Sequence, residues 1–412
     1  MSELDKLLEG VEVEWKSLWE VTTWDKRFNA VDRKKQPKID SYKYLLAANL
    51  FNLEQINGDV FLLSTGERTG WTTRELAGTY IREGEIVSIP WGKSRPVKDV
   101  LKYYKGLFVT ADNRIATSNN TDILLNKFLF YWLQTQSLLI DGFYRGSGIQ
   151  HPNMAAVLDM IIPIPPLSVQ KEIVRILDTF TELTAELTAE LTARKKQYEY
   201  YREQLLSFEE GEVEWKKLGE LCKIGDGLHG TPKYNDSGEY YFINGNNLDN
   251  GRITFNGKTN KVDDIVYNKY GIDFTVENTI FLSINGTIGS VSFYNNEKIV
   301  LGKSVAFFNI ESSELYSRYL YYFLQTNYST DYFEAQKTGS TIKNLGLKAL
   351  RTFKIPVPPI EEQARIVSIL DKFHTLTTSI SEGLPKEIEL RKKQYEYYRD
   401  KLLTFPKDNL MA

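Results

Sequence analysis

The chain has 412 residues, of which 42% are hydrophobic and 13% aromatic, so it is long and apolar enough for two packed domains and is not a disordered chain. Its net charge of −3 argues mildly against a small DNA-binding domain, but a local basic face would be enough to bind DNA. One cysteine and three scattered histidines exclude an internal disulfide bond and a zinc site of the usual spacing.

The N-terminal residues are acidic and amphipathic, a pattern that is not typical of a secretory signal peptide. No apolar run in the sequence approaches the roughly 20 residues that are needed to span a bilayer. The sequence therefore predicts a cytoplasmic protein.

Residues 17–150 form the first variable region, and their short β-rich segments with an aromatic helix near 124–138 predict an α+β domain. Polar loops that contain glycine lie near residues 64–70, 91–95 and 112–114. Arginine can pair with guanine and asparagine with adenine, while glycine permits close approach of the backbone. Turn formation alone would explain each loop equally well. The DNA-contact candidates in this region are Arg68, Lys93, Arg95, Asn113 and Arg114.

A long helix is predicted from Ser168 to Phe208, because this stretch has no proline or glycine and its apolar residues recur every three or four positions. Pro165-Pro166 sets its start. At roughly 60 Å the helix is longer than one domain is wide, so its apolar stripe needs a partner. The simplest partner is a second long helix in antiparallel packing, which would place the two variable regions at opposite ends. Packing of each helix on its own domain alone is the alternative.

The second variable region, residues 217–340, again predicts short strands and an aromatic helix near 314–328. The predicted strands are 240–243, 253–255, 279–284, 289–293 and 306–310. Its glycine-containing loops supply a second set of DNA-contact candidates: His229, Thr231, Asn246, Asn247, Asn285, Thr287 and Lys303.

The second helical region repeats the first. Residues 391–405, RKKQYEYYRDKLLTF, match residues 194–208, RKKQYEYYREQLLSF, at 12 of 15 positions. An Ile-Pro-x-Pro-Pro segment precedes each helix, and Val-Glu-Trp-Lys opens each half, whereas the variable regions share little. Gly383 and Pro385 predict a break near residues 382–385, within an apolar stripe that includes Ile380. Two domains of one shape that recognise two different targets would have this layout.

Enzyme motifs are missing from the sequence. Two Gly-Lys-Ser segments, at residues 92–94 and 302–304, resemble the end of a phosphate-binding loop but lack the glycine that must precede it. Glu14-Trp15-Lys16 and its copy at 214–216 have the Glu-x-Lys spacing of some nucleases, which also need an acidic residue on a neighbouring strand. We therefore predict no catalytic, cofactor-binding or metal-binding residue in this chain.

Two different recognition regions that alternate with two near-identical helical segments resemble the specificity subunits of type I restriction–modification enzymes over essentially the whole chain. The Thr-Ala-Glu-Leu units at residues 184–191, just before the repeated Arg-Lys-Lys-Gln-Tyr, look like the IC subgroup of that family. Gly286-Thr287-Ile288-Gly289 also resembles a loop motif of the family's second recognition domain, and the segment around Trp91-Gly92-Lys93 departs from that motif.

The resemblance implies an α+β fold in which two β-rich target-recognition domains are separated by two long helices packed as an antiparallel coiled coil, with an internal pseudo-two-fold repeat. The recognition domains would be residues 1–155 and 211–350, and the helical spacers would be residues 156–210 and 351–412. Each recognition domain would bind one half of a split, asymmetric site in double-stranded DNA.

The implied partners are two copies of a methyltransferase subunit, which would hold S-adenosylmethionine and methylate a flipped adenine, and motor-nuclease subunits, which would use ATP and Mg²⁺. This chain would be the non-catalytic subunit of that complex. Because two copies of one surface suit two copies of one partner, the repeated helix ends are the predicted docking surface. Its candidates are Tyr198, Tyr201, Leu205, Tyr395, Tyr398 and Leu402.

The family resemblance also implies that the number of Thr-Ala-Glu-Leu units sets the gap between the two half-sites. Twenty-four residues lead from Gln170 to Arg194, and 28 lead from Gln363 to Arg391. The two helical regions therefore differ by four residues between equivalent landmarks, the length of one unit, which indicates that this region tolerates changes in length.

Two other functions are compatible with parts of the sequence. A duplicated enzyme is disfavoured by the missing acid, base, nucleophile and metal constellations. A non-enzymatic coiled-coil scaffold with two protein-binding adaptor domains would share the same architecture, and sequence-dependent DNA binding would distinguish it from a specificity subunit.

Overall fold

A computed structural model describes residues 7–93, 95–209, 211–379 and 381–406 of the chain. The contacts divide the chain into two compact units. Unit 1 consists of Met1–Ala185 and Leu390–Ala412, and unit 2 consists of Glu186–Glu389. Each unit therefore joins one variable region, and the start of the helix that follows it, to the end of the other helical region.

Unit 1 is built around one sheet. Its strands are β1 (Glu14–Ser17), β2 (Thr22–Trp24), β3 (Val60–Leu63), β4 (Gly70–Thr72), β5 (Arg82–Pro90), β6 (Lys102–Thr110), β7 (Asn113–Ser118), β8 (Tyr144–Arg145), β9 (His151–Pro152) and β10 (Ile161–Ile164). Its α-helices are α1 (Leu18–Val21), α2 (Ala47–Leu50), α3 (Arg74–Ala77), α4 (Val97–Val100), α5 (Asn126–Thr135), α6 (Ser137–Asp141), α7 (Met154–Leu158) and the start of α8 (Leu167–Leu205). Six strands form the central sheet in the order β2-β7-β5-β6-β3-β4. The aromatic helix α5 buries Phe128, Leu129 and Trp132 in the main core.

Unit 2 combines two mixed or antiparallel sheets. Its strands are β11 (Glu214–Lys217), β12 (Cys222–Asp226), β13 (Tyr240–Ile243), β14 (Leu248–Asp249), β15 (Arg252–Ile253), β16 (Lys261–Val262), β17 (Thr279–Ser283), β18 (Val291–Phe293), β19 (Ile299–Leu301), β20 (Val305–Ile310), β21 (Lys337–Thr338), β22 (Asn344–Leu345) and β23 (Lys354–Val357). Its α-helices are α9 (Leu218–Leu221), α10 (Asp264–Tyr270), α11 (Ser317–Phe323), α12 (Asn327–Gln336), α13 (Leu347–Thr352), α14 (Ile360–Thr378) and the start of α15 (Leu384–Leu402). The larger sheets have the orders β12-β20-β17-β18 and β16-β13-β19. This content confirms the predicted α+β class.

The repeated framework closes each variable region in the same way. In unit 1, β1 pairs with β10 so that Trp15 lies opposite Pro163. In unit 2, β11 pairs with β23 so that Trp215 lies opposite Pro356. Proline is compatible with these strands because each belongs to a two-stranded sheet with a free edge. The opening motif and the Pro-Pro element of each half are therefore strand partners.

A buried glutamine attaches each long helix to its variable region. The Gln170 side chain donates to the carbonyl oxygens of Ile123 at 2.7 Å and Pro165 at 2.9 Å, and it accepts from the Leu125 backbone N–H at 3.0 Å. Gln363 repeats all three hydrogen bonds in unit 2, at 2.7–2.9 Å. Both side chains are fully buried, so the three bonds compensate for the loss of hydration.

The first long helix is continuous, as predicted. It spans 39 residues from Leu167 to Leu205, which corresponds to about 58 Å. The second helical region breaks where the sequence indicates: α14 ends at Thr378 and α15 begins at Leu384. Ile380, which was assigned to the apolar stripe, lies outside the described residues.

Gly383 and Pro385 explain the break. The Gly383 N–H donates to the Ser379 carbonyl at 3.2 Å, and a Cβ atom at position 383 would lie 2.5 Å from the Thr375 carbonyl oxygen. Pro385 lies in the first turn of α15, where a backbone N–H group would have no acceptor within the helix, so proline costs no hydrogen bond there. The four extra residues of the second region thus fall in the interruption between α14 and α15.

The order of contacts along the helices is that of an antiparallel pair. In unit 1, the ring of Phe180 in the early part of α8 stacks on Tyr398 of α15, with centroids 5.3 Å apart. In unit 2, the ring of Tyr201 in the late part of α8 stacks on Phe373 of α14 at 5.4 Å. These two contacts are equivalent under the internal repeat. Within each unit, they confirm the predicted antiparallel packing of the helices and the internal repeat.

Each repeated helix end completes the core of the unit that contains the other variable region. Tyr395 of α15 packs edge-on against Tyr131 of α5, and its hydroxyl donates to Gln134 Oε1 at 2.7 Å. Tyr198 of α8 packs in the same way against Tyr322 of α11. Near these contacts, the Tyr131 hydroxyl donates to Asp178 of α8 and the Tyr322 hydroxyl donates to Asp371 of α14, each at 2.5 Å.

We expect alanine at position 198 or 395 to destabilise the unit that contains it. Loss of the large buried side chain of Tyr198 should lower the free energy of unfolding by about 3 kcal/mol, and loss of the half-buried Tyr395 should cost somewhat less. Tyr200→Ala and Tyr397→Ala are matched controls, because these repeated neighbours are 60% and 61% exposed. Urea unfolding of the four variants measures the effect. Equal stability of the core and control variants would contradict this account of the helix ends.

Candidate nucleic-acid interface

The polar loops of unit 2 meet at one place because the strands that carry them are neighbours. The backbone N–H of Lys303 donates to the Leu228 carbonyl at 3.1 Å, and the Gly245 N–H donates to Ser304 Oγ at 3.0 Å. The Asn285 amide reaches the Lys303 carbonyl at 3.5 Å. Four loops that lie far apart in the sequence therefore form a single surface, which we call the unit 2 loop cluster (residues 226–231, 244–247, 285–289 and 302–304).

Five of the seven predicted contact residues in this cluster present exposed side chains. The His229 Nε2 atom lies 2.7 Å from Asp226 Oδ2, and this pairing orients an otherwise exposed imidazole. Lys303 is exposed and has no ion-pair partner among the residues that the structure describes. The exposed residues are His229, Thr231, Asn246, Thr287 and Lys303.

The other two contact candidates of this cluster contribute to its framework. Asn247 is buried: its amide donates to the Thr254 carbonyl at 2.9 Å, and its oxygen accepts from the Asn244 N–H at 3.0 Å. Asn285 is half-buried and is bridged to Asn344. Asn247 therefore shapes the loop from which its exposed neighbour Asn246 projects.

The loop that follows Asn285 requires glycine. Gly286 and Gly289 have φ angles of +73° and +104°, a region that residues with a side chain rarely adopt. Thr287 lies between them and is exposed. The Gly-Thr-Ile-Gly motif therefore presents a short polar tip with little side-chain bulk.

In unit 1, two of the five predicted contact residues are exposed. Arg68 projects from the loop between β3 and β4, pairs with Glu54, and lies over the Phe51 ring at 4.1 Å. Arg95 forms an ion pair with Glu67 at 2.6 Å. Both guanidinium groups remain accessible, although each is neutralised by a nearby carboxylate.

Lys93 is not presented at the surface. Its ammonium group is buried, pairs with Asp141 and lies 4.4 Å from the centroid of the Tyr144 ring. Burial lowers the pKa of Lys93 below its ordinary value. Asp141 Oδ1 also accepts from the Val97 N–H at 3.0 Å, so Asp141 attaches both Lys93 and Val97 to α6.

Asn113 and Arg114 are likewise buried within unit 1. The Asn113 amide donates to the Leu63 carbonyl at 3.0 Å and supports the strand end that leads into residues 64–70. Arg114 lies 3.9 Å from the Trp91 ring, and its guanidinium donates to Asp112 at 2.8 Å. Both residues hold neighbouring loops in place.

A buried carboxylate lies close to Arg114. Asp25 accepts a hydrogen bond from the Ile115 N–H at 2.9 Å, and Lys26 pairs with Asp112 beside it at 2.7 Å. Burial raises the pKa of Asp25 to about 6, despite the opposing effects of the Ile115 hydrogen bond and the two nearby cations. Unit 1 therefore contains a compact charged cluster under the loop that carries Trp91.

Lys102 was not identified from the sequence, yet it supports the loop that carries Arg68. Its ammonium donates to the Ser64 carbonyl at 2.8 Å and also to the Gly66 carbonyl. Burial lowers the pKa of Lys102 to about 8. No local pattern distinguishes this lysine from others in the chain, since its partners lie 36–38 residues earlier.

The structure gives no support to a nuclease site at the Glu-x-Lys pairs. Lys16 pairs with Glu14 at 3.0 Å, and the neighbouring strand β10 contains only isoleucine and proline. Within the described ranges, no group of three or more potential metal ligands occurs.

Cys222 is buried, and burial raises the pKa of its thiol to about 12, which makes it a poor nucleophile at neutral pH. Among the residues that the structure describes, no helix is long and apolar enough to cross a membrane.

The family model of the type I restriction modification DNA specificity domain matches the chain twice, over residues 49–194 and 210–390. The two matches cover residues 49–150 of the first variable region, the whole of the second, and most of both helical regions. The specificity subunit of the type I restriction enzyme EcoR124I/EcoR124II from Escherichia coli is 37% identical over 446 aligned residues, which cover 100% of this chain and 99% of the relative.

Two solved structures share the fold. The S subunit of a type I restriction–modification system from M. genitalium aligns with a TM-score of 0.57 at 17% identity, over 99% of this chain and 100% of that chain. A chain from work on complex assembly and conformational transition of the type I R-M system also gives a TM-score of 0.57 at 17% identity, over 96% of this chain and 98% of that one. Sequences that differ this much keep the same architecture.

We expect Asp25→Asn to stabilise the protein at alkaline pH. The folded-state pKa of Asp25 lies above the solvated value, so the folded chain binds more protons than the unfolded chain between about pH 4 and 6, and stability falls as pH rises through this window. Asparagine keeps an oxygen for the Ile115 N–H and removes the buried charge. Urea unfolding at pH 8 should show a gain of about 2 kcal/mol, and the gain should vanish near pH 4.

Asp112→Asn is the matched control for this prediction. The pKa of Asp112 is lowered, because its hydrogen bonds with Lys26 and Arg114 outweigh the effect of burial, so its removal should destabilise the chain at pH 8. A loss of stability at pH 8 in Asp25→Asn would contradict the conclusion that burial of this carboxylate raises its pKa.

Proposed function

Because the chain belongs to the specificity subunits of type I restriction–modification enzymes, the non-catalytic subunits of those complexes, we propose that it recognises a split, asymmetric site in double-stranded DNA, with one half-site for each recognition domain. One observation carries this proposal: two equivalent frameworks hold two different sets of polar loops. A repeated framework with different loops is what we expect of two domains that recognise two different DNA sequences. The predicted domain boundaries, 1–155, 156–210, 211–350 and 351–412, are retained as part of this proposal.

The exposed members of the loop clusters are the proposed DNA contacts. In unit 2, Asn246 and Thr287 offer amide and hydroxyl groups for base edges, and Lys303 offers a positive charge for a phosphate. In unit 1, Arg68 and Arg95 offer guanidinium groups that can exchange their carboxylate partners for phosphate or guanine. The buried candidates act indirectly, by fixing the loops from which these side chains project.

The proposed protein partners are two methyltransferase subunits, docked on the two repeated helix ends, and motor-nuclease subunits. S-adenosylmethionine would be held by the methyltransferase, and ATP and Mg²⁺ by the motor-nuclease. Tyr198, Tyr395 and Leu402 are engaged in the cores of the two units, so they act by positioning the helix ends. The repeated tyrosines at positions 200 and 397 are exposed on the same helices and are the better contact candidates. The IC subgroup and the role of the Thr-Ala-Glu-Leu units in setting the gap stay predictions.

Exchange of one variable region tests the proposed function directly. We expect that replacing residues 17–150 with the equivalent region of another specificity subunit changes one half-site and leaves the other intact. The donor must keep the Tyr131 and Gln134 positions, because these contact the helix end that carries Tyr395. Sequencing of methylated DNA from cells that express the exchanged chain with its partners measures the outcome. A simultaneous change of both half-sites would show that the domains do not read DNA independently.

Lys303→Ala should weaken DNA binding on every sequence by a similar factor. Loss of one phosphate contact should reduce the slope of log K against log salt by about 0.9. Lys298→Ala is the matched control. Lys298 comes just before strand β19, whereas Lys303 follows that strand, and Lys298 is paired with Glu239 at 2.5 Å. A salt titration by fluorescence anisotropy compares the two variants in the complex. An unchanged slope in Lys303→Ala would remove this lysine from the interface.

A further inference from the structure

Each unit carries one hairpin that lies outside the polar loops identified from the sequence. In unit 1, residues 146–150 join β8 to β9, and in unit 2, residues 339–343 join β21 to β22. Both loops read Gly-Ser-x-Ile. In each half, this glycine lies 17 positions before the proline that faces the tryptophan of the opening strand. The hairpin is therefore a repeated element at the edge of regions that otherwise differ.

The two hairpin loops also share their backbone geometry. Gly146 and Gly339 have φ angles of +132° and +92°. A Cβ atom at Gly146 would lie 3.0 Å from the carbonyl oxygen of Ile149, and a Cβ atom at Gly339 would collide with the carbonyl oxygen of Ile342. The same close approach of glycine to isoleucine thus fixes the tip of both hairpins.

The isoleucine at each tip is exposed. Ile149 is 66% exposed and Ile342 is 67% exposed, and neither belongs to a hydrophobic core of the described residues. A single exposed isoleucine is ordinary on a protein surface. The same exposed isoleucine at equivalent tips in two regions of different sequence is not explained by folding, because neither side chain stabilises a core.

Both hairpins are attached to segments that carry candidate contact residues. The Lys93 N–H donates to the Gln150 carbonyl at 3.1 Å in unit 1, and the Gly286 N–H donates to the Lys343 carbonyl at 3.1 Å in unit 2. These backbone bonds place each isoleucine beside a predicted contact loop without using any side chain that differs between the units.

The charge around the hairpins favours a polyanion. Residues 142–158 contain no aspartate or glutamate, and the exposed Arg145 stands at the base of the first loop. Residues 335–360 also contain no acidic residue and include five lysines and arginines, of which Lys343 is exposed at the tip. An apolar tip beside an exposed cation suits DNA, where the tip meets base edges and the cation meets a phosphate.

We infer that Ile149 and Ile342 are apolar wedges, each of which presses against a base step of its half-site in the same, sequence-independent way. The inference rests on the proposed function and adds a contact that the two half-sites share. Insertion of an aliphatic side chain at a base step unstacks the step and bends the duplex. Both hairpins would thus bend the DNA in the same way, and the loops that differ between the two units would then recognise the base sequence of each half-site.

The experiment uses the full chain assembled with its methyltransferase subunits and a cognate duplex in which 2-aminopurine is scanned through each half-site. Ile342→Ser should weaken binding about tenfold, equal to about 1.4 kcal/mol, and abolish the fluorescence increase that marks unstacking in the second half-site only. Ile149→Ser should do the same in the first half-site. The ratio of cognate to non-cognate affinity should stay within about twofold of wild type, because the contact carries no sequence information.

Ile265→Ser in unit 2 and Ile56→Ser in unit 1 are the matched controls, since both isoleucines are exposed away from the hairpins. Ile342→Leu should restore binding. Variants that bind and unstack DNA like wild type would overturn the wedge while leaving the proposed function intact. Loss of methyltransferase subunits from the Ile342→Ser complex would overturn it in favour of a protein contact. A wild-type complex without sequence-dependent DNA binding would overturn the proposed function itself.

Discussion

Each unit depends on one internal contact, in which its variable region packs against a tyrosine-bearing helix end from the other half of the chain. Tyr395 packs on Tyr131 in unit 1, and Tyr198 packs on Tyr322 in unit 2. Because these rings and the residues that follow them belong to the two main cores, neither variable region has its full core without the other half of the chain. This packing explains why residues 194–208 and 391–405 are nearly identical, because each segment packs against an aromatic helix of the same kind.

The framework tolerates change in the variable regions because it binds them through the main chain. Among the described residues, the side chains of Gln170 and Gln363 form their hydrogen bonds with carbonyl and N–H groups of the main chain. The hairpins are also joined to their loops by backbone hydrogen bonds. Such contacts do not depend on the identity of the loop side chains. This gives a physical reason for the retention of the fold among structures at 17% identity.

Burial divides the polar residues of the loops into two groups. Asn113, Arg114 and Asn247 have their hydrogen bonds inside the protein and shape the loops, whereas Arg68, Asn246 and Lys303 project outward. The low net charge of the chain does not conflict with DNA recognition, because acidic residues are absent from the hairpin segments and cancel positive charge elsewhere. In unit 1 the carboxylates pair directly with exposed arginines, so binding there exchanges one anion for another.

The sequence by itself determined the duplication, the α+β class, the long helix and the break near Gly383, because repeats, glycine, proline and apolar spacing are local signals. It also located the loops, but it did not determine which of their side chains are free. Lys93 and Lys303 occupy similar Gly-Lys-Ser segments, yet Asp141 is folded against Lys93 and no described residue pairs with Lys303. Only the tertiary structure decided this, together with the placement of each tyrosine-bearing helix end against the variable region of the other half of the chain, since such contacts join residues that are remote along the chain.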